Sequence, residues 1–397
     1  MPRAFASDES TAASLEGRFQ QFFGMSPKIF RAPGRVNLIG EHTDYNDGFV
    51  MPAAIGFYTW IAVSERDDRN LRINSKQFNE TVELSLDALE GPPRRHWSDF
   101  IRGVAAVLQG NGNSLSGANL VIDGQVPMGA GLSSSASLEV ATAIALLSVS
   151  HASVPPLDLV KFCQRAEHEY VGTRCGIMDQ FIAVFGRSAH ALMLDCRSLA
   201  YEALPLPVDV RLVITNSMVK HELAAGEYNR RRADCEEGVR ILQKGFPRIR
   251  ALRDVSLSDL ERNRKELPER IYRRCRHVVS ENTRVLEAAE ALRTGNLLRF
   301  GQLMNESHRS LRDDYEVSCR ELDLLVELAT ACDGVYGSRM TGGGFGGCTI
   351  SLVRAESASA FQACIAEGYK KQTGIMPDVY VCSATQGAGA WLDQTSL

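Results

Sequence analysis

The chain has 397 residues, of which 44% are hydrophobic and 23% charged, and its formal net charge is -4. That length exceeds what one core usually organises, so two domains are expected, and the weak negative charge argues against a polyanion-binding protein. The opening stretch MPRAFASDESTAAS has no apolar core of the kind a secretory signal needs, and no window is apolar enough to span a bilayer.

Residues 34–51 are the first informative segment. Val36, Leu38 and Ile39 form an apolar run that ends at Gly40, and Glu41, His42, Asp44, Tyr45, Asn46 and Asp47 follow almost without a break. Asn, Asp and Gly favour turns, so the pattern predicts a strand running into a polar loop whose side chains could bind a hydroxyl-rich ligand. Residues 58–63 and 119–126 are short, β-rich and bounded by turn formers, and read as strands.

Residues 127–137 read Pro-Met-Gly-Ala-Gly-Leu-Ser-Ser-Ser-Ala-Ser. A strand precedes them and an apolar helix over 134–150 follows. Gly129 and Gly131 let backbone approach a ligand, and Ser133, Ser134 and Ser135 fall where unpaired N–H groups and the helix dipole favour phosphate. Three named loops fail to match. A P-loop needs a Gly-Lys pair, which the chain lacks. A dinucleotide fingerprint needs glycine or alanine where Ser134 stands, and the protein-kinase motif set is missing.

An amphipathic helix is expected over 157–171, ending near Gly172. Short apolar runs broken by Pro205 and Pro207 suggest a boundary, giving domains of 1–205 and 206–397. Charged helices are expected over 221–244, 256–294 and 296–312. The basic run at 262–277, interleaved with Glu266 and Glu269, reads as a solvated helix face and not as a nucleic-acid site. Residues 337–347 carry five glycines in six positions, with a literal Gly-x-Gly-x-x-Gly at Gly342, Gly344 and Gly347. A strand at 348–353 follows it where a nucleotide fingerprint would have a helix, so the loop is expected to press against a ligand or another backbone. The mixture is α+β without strict strand–helix alternation. The ten cysteines have neither disulfide-framework nor zinc-ligand spacing and read as reduced cytosolic thiols. Without linkers or sticky tails, the chain is expected to be a monomer.

Taken together, the three segments resemble the signature motifs of the GHMP small-molecule kinases. Gly34-Arg-Val-Asn-Leu-Ile-Gly-Glu-His-Thr-Asp-Tyr45 is similar to the version carried by the galactokinase branch in particular. Cys175-Gly-Ile-Met-Asp-Gln-Phe, Asp195-Cys-Arg-Ser-Leu, Asn216-Ser-Met-Val-Lys-His-Glu-Leu and Asn305-Glu-Ser-His-Arg-Ser-Leu extend the likeness. The resemblance implies a two-lobed fold, with an N-terminal lobe like ribosomal protein S5 domain 2 and a ferredoxin-like C-terminal lobe. It also implies ATP- and Mg2+-dependent phosphorylation of the anomeric hydroxyl of D-galactose, the step that opens galactose catabolism by the Leloir pathway.

The roles it implies fall on individual positions. Asp179 matches the catalytic aspartate and Arg35 its cationic partner. Glu41, His42, Asp44, Gly176 and Tyr228 match the sugar ligands. Ser135 and Glu167 match the magnesium ligands. Trp97 and Phe100 match aromatics near the adenine, although the family often has Tyr where Phe100 stands. Two related activities compete with this reading. Catalytically silent galactose sensors lack a Ser-Ala pair in the serine loop, which here is complete as Ser133-Ser134-Ser135-Ala136-Ser137. Kinases for N-acetylgalactosamine are usually longer.

Overall fold

The structure is a computed structural model that describes residues 7–220 and 224–391. Thirteen strands among these residues build three sheets. The first sheet runs β13-β1-β3-β6-β4-β5. Its members are β1 (Lys28–Asn37), β3 (Pro52–Arg66), β4 (Asn70–Ser75), β5 (Glu80–Ser85), β6 (Gly117–Gly124) and β13 (Gly389–Ala390). All its pairings are antiparallel except β4 with β6. A small sheet joins β2 (Phe49–Val50), β7 (His190–Asp195) and β8 (Tyr201–Pro205). The third, antiparallel sheet has the order β10-β11-β9-β12, from β9 (Val210–Lys220), β10 (Val335–Thr341), β11 (Gly346–Arg354) and β12 (Asp378–Cys382). The chain therefore changes sheets between Pro205 and Val210, but Ala384 and residues 389–390 return to the first.

The helix Ser134–Val149 is buried on nearly every side, as its small apolar residues require, and packs beneath β1 and β3. The helix Pro156–Ala166 is amphipathic, and its chain continues as a wider π-turn, Glu167–Val171, that Gly172 ends in the left-handed conformation. One apolar cluster spans the two larger sheets. Val36, Leu38 and Ile39 at the end of β1 share it with Leu212, Ile214, Ile350 and Leu352 of β9 and β11.

The helix expected over 256–294 is broken. It appears as Leu257–Arg262, a 3-10 turn Arg264–Glu266 and a long helix Glu269–Arg293. Pro268 is the reason. It lacks an N–H and clashes with a preceding helical turn, so the long helix can only begin after it. The basic run is also less solvated than expected. Arg274 is 1% exposed and bonds the Asp314 carbonyl and Glu316, while Arg276 pairs with Asp314. The helix expected over 221–244 is seen as Ala224–Leu242, and residues 221–223 lie outside the described residues. The helix expected over 296–312 runs from Leu297 to Ser310 and widens into a π-turn, Leu311–Tyr315. No helix among the described residues is long and apolar enough to cross a membrane.

Candidate active site

β1 delivers Arg35 to the cleft. Its guanidinium grips Asp179 bidentately, Nε to Oδ1 at 2.8 Å and Nη2 to Oδ2 at 2.7 Å, while Nη1 donates to the Gly131 carbonyl at 2.6 Å. Such a fork fixes a carboxylate's orientation as well as its place. Asp179 sits in the first turn of the helix Met178–Phe185. Its Oδ2 also accepts the Ser133 hydroxyl. Ser133 precedes the buried helix at φ 61°, and because its hydroxyl is spent on Asp179 no side chain caps that helix start. The free N–H groups of the first turn, with Gly131 at φ 76° before them, form an anion cradle beside the carboxylate.

The polar loop after β1 forms the other wall. Glu41 is buried, and its Oε1 accepts the Gly342 N–H at 2.7 Å and the Thr341 hydroxyl at 3.2 Å. His42 bonds the Tyr45 hydroxyl through Nδ1 at 2.8 Å, and its ring lies against Tyr228 and Tyr315. Burial and the neighbouring His277 and Arg231 hold its imidazole well below the usual range, so it is neutral at physiological pH. Asp44 accepts the Tyr45 N–H at 3.0 Å. Burial and the charge of Asp179 push its carboxyl up to about 7. Gly176 closes over it so tightly that a Cβ there would stand 1.8 Å from Asp44 Oδ2.

Glu167 is 6% exposed and belongs to the site, not to the surface. Its Oε2 accepts the Gln180 amide at 2.9 Å, and that amide also reaches Glu139 Oε2 at 3.0 Å. Burial and Asp179 push Glu167 up to about 7, and burial with Glu167 pushes Glu139 well above the carboxylate range.

Arg35, Glu41, His42, Asp44, Gly176, Asp179 and Tyr228 thus meet Gly129, Gly131, Ser133, Ser134, Ser135 and Glu167 around a single cleft of about 250 Å3. Trp97 and Phe100 line an adjoining, mainly apolar cavity of about 120 Å3, and Ser134 and Ser135 line both spaces. Sequence reasoning missed Phe78, whose ring stacks directly on Trp97 at 5.4 Å and 9° and lines the same cavity. It also missed Glu139 and Gln180 behind Glu167, and the layer of His277, Glu281 and Tyr315 behind the polar loop after β1. Gln180 stood in a quoted motif. The others carry no local signal, because only the fold brings them there.

A carboxylate held by arginine between an anion cradle and a buried polar loop, on this three-sheet fold, is the arrangement of a GHMP small-molecule kinase, and the family matches agree. Models of the GHMP kinase N-terminal domain and C-terminal region match residues 99–187 and 288–371, and the galactokinase galactose-binding signature matches residues 17–65. The chain belongs to the galactokinase family. It is 50% identical to a galactokinase of Roseiflexus sp. over 96% of this chain and 97% of that one. A galactokinase of Chloroflexus aggregans is also 50% identical, over 95% and 96%. The crystal structure of Lactococcus lactis galactokinase complexed with galactose superposes with a TM-score of 0.93 at 38% identity, covering 96% of this chain and all of that one. Methanococcus jannaschii mevalonate kinase shares the fold at a TM-score of 0.63 and 17% identity, covering 91% of this chain and 99% of that one.

Proposed function

We propose that the cleft transfers the γ-phosphoryl group of ATP to the anomeric hydroxyl of D-galactose, giving galactose 1-phosphate and ADP. The observation that carries this reading is the Asp179 carboxylate. Arg35 and Ser133 hold it where the hydroxyl-binding loop meets the glycine–serine cradle.

Phosphoryl transfer asks a protein mainly for positioning and charge neutralisation. Glu41, His42, Asp44, the backbone at Gly176 and Tyr228 hold the sugar. Asp179 orients the anomeric hydroxyl and takes its proton, and Arg35 keeps the carboxylate aimed. The nucleotide lies along 129–135, its phosphates at the uncapped helix start and its adenine in the cavity lined by Phe100 and the stacked pair Trp97 and Phe78.

The donor set fits magnesium. The cleft carries a hydroxyl and a carboxylate, oxygen ligands of the kind Mg2+ prefers, and an oxygen of nearby Glu139 is buried without a partner among the described residues. Those residues hold no group of three or more His, Cys, Asp or Glu able to bind a metal by itself. That suits an ion that takes one or two protein ligands and completes its shell with phosphate and water. Ser135 and Glu167 would hold it, and its charge would offset that of the phosphates. The ten unpaired thiols support a reducing, cytosolic setting. We read residues 1–205 and 206–397 as the two lobes, with the returning C-terminal strand added to the first.

ADP release from Mg-ATP, measured with galactose, N-acetylgalactosamine and glucose, tests the proposal. Galactose should far exceed the other two. Turnover with N-acetylgalactosamine instead would move the activity to that sugar, and no turnover with galactose would end the reading.

A further inference from the structure

One turn of the helix Glu269–Arg293 carries three polar side chains that are at most 8% exposed: His277, Glu281 and Asn282. Buried polar groups need partners, and each of these finds one on the backbone of the sugar loop. His277 Nε2 lies 3.1 Å from the Glu41 carbonyl. Glu281 Oε1 accepts the Gly40 N–H at 2.9 Å, and Asn282 Oδ1 accepts the Phe49 N–H at 3.0 Å. The loop that presents Glu41, His42 and Asp44 is therefore pinned twice at its start, at Gly40 and Glu41, and once at its end, at Phe49.

The three residues are themselves held. Ser307 Oγ donates to Glu281 Oε1 at 2.6 Å, and Arg284 Nε donates to Oε2 at 2.6 Å. Ser310 Oγ stands 2.9 Å from His277 Nδ1. The Glu41 carbonyl can only accept, so the proton of a neutral His277 sits on Nε2, and Nδ1 faces the Ser310 hydroxyl, whose one proton also has Asp314 Oδ2 within reach at 3.2 Å. Burial, which pushes this imidazole down to about 4, keeps it neutral. Its ring packs on Tyr315 at 4.6 Å, and Tyr315 packs on His42 at 4.7 Å. The sugar-facing imidazole thus rests on a tyrosine backed by a second imidazole.

We propose that His277 is a positioning residue for the sugar: its Nε2–H fixes the Glu41 carbonyl and, with Tyr315, the aim of Glu41 and His42. This rests on the galactose reading. A merely structural group would lower the melting temperature and leave both Michaelis constants alone. A positioning group acts on galactose selectively, because none of its partners touches the nucleotide cradle.

The experiment compares the intact wild-type enzyme with His277→Phe, which keeps a flat ring but loses the donor, and His277→Gln, which retains a donor. His277→Phe should raise KM for galactose about tenfold, the worth of one well-placed buried hydrogen bond, and leave KM for ATP within about twofold. His277→Gln should recover most of that loss. If His277→Phe does not fold, Ser310→Ala, which frees the ring at Nδ1, should raise KM for galactose about threefold without moving KM for ATP. Equal galactose KM in wild type and the folded variant overturns the proposal, as do parallel rises for both substrates. A wild type that fails to turn over galactose removes the sugar assignment and this proposal with it. A working wild type with unmoved variants removes this proposal alone.

Discussion

Replacing Gly176 with alanine tests the sugar site at its tightest contact. A Cβ at 176 would lie 1.8 Å from Asp44 Oδ2 and 2.0 Å from Cγ, where ordinary contact begins at 3.4 Å. One of the two must retreat by about 1.5 Å, and the side chain moves more cheaply than a buried backbone. Gly176 is not among the residues with positive φ, so alanine imposes no backbone strain and the effect falls on Asp44. A charge-assisted hydrogen bond is worth about 1.5–3 kcal/mol, which corresponds to roughly 10- to 150-fold in kcat/KM for galactose. KM for ATP should not move, and the melting temperature should change little. Steady-state kinetics with each substrate varied in turn provides the measurement. A Gly176→Ala enzyme with galactose kcat/KM within about twofold of wild type would show that Asp44 is not held by this contact or does not bind the sugar.

Other outcomes are equally definite. Asp179→Ala should abolish turnover while nucleotide binding, followed by calorimetry, survives; a residual rate near one tenth of wild type would remove Asp179 from the mechanism. Ser135→Ala should raise the magnesium concentration needed for half-maximal rate, and an unchanged titration would deny it the ligand role. Phe78→Ala should raise KM for ATP several-fold through lost stacking, about 1 kcal/mol, with KM for galactose unmoved. The carboxyls of Asp44 and Glu167 are both raised to about 7, so the folded protein holds protons there that the unfolded chain releases near pH 4. Their contribution to stability is therefore lost as pH rises through 7. Asp44→Asn and Glu167→Gln should each raise the melting temperature of ligand-free protein at pH 8 and have little effect near pH 4, and an unchanged Tm at both pH values would contradict the assigned shifts.

Much of the site was legible because its chemistry is written locally. Arg35 at the end of β1 runs within a few residues into Glu41, His42 and Asp44 on one loop, and the serines share another; turn residues and a helix start announce both. The adenine side was half legible. Trp97 and Phe100 were picked out by the family resemblance alone, whereas Phe78 reached the same cavity from the turn between β4 and β5 with no pattern to flag it. Glu167 was singled out by the resemblance and not by its pattern, which is that of one charge on an amphipathic helix; the π-turn after Ala166 and the packing around it make it a buried acid. The helix map failed where a single residue outweighed composition: Pro268 split an otherwise continuous charged run. Arg274 shows the converse limit, since a charge run does not say which guanidinium will be buried against a carbonyl at the end of the next helix.

The third glycine-rich segment shows how the sites are joined. It was expected to press on a ligand or on another backbone, and the contacts among the described residues run chiefly to backbone. A Cβ on Gly342 would lie 2.6 Å from the Gly131 carbonyl, and one on Gly131 would lie 3.1 Å from the Thr341 carbonyl, so the two loops meet glycine against glycine. The same turn supplies the Gly342 N–H and the Thr341 hydroxyl to Glu41, and Arg339 Nη1 donates to the Asn37 carbonyl at 2.9 Å. β10 and its turn therefore touch the glycine–serine loop on one side and the polar loop after β1 on the other, the first through a contact that admits no side chain. Reaction between two bound substrates depends on holding them within about 3–3.5 Å in fixed orientation. Here the restraint comes from the β10-β11-β9-β12 sheet, and it explains why a loop with no chemical side chain of its own is richer in glycine than the cradle it braces.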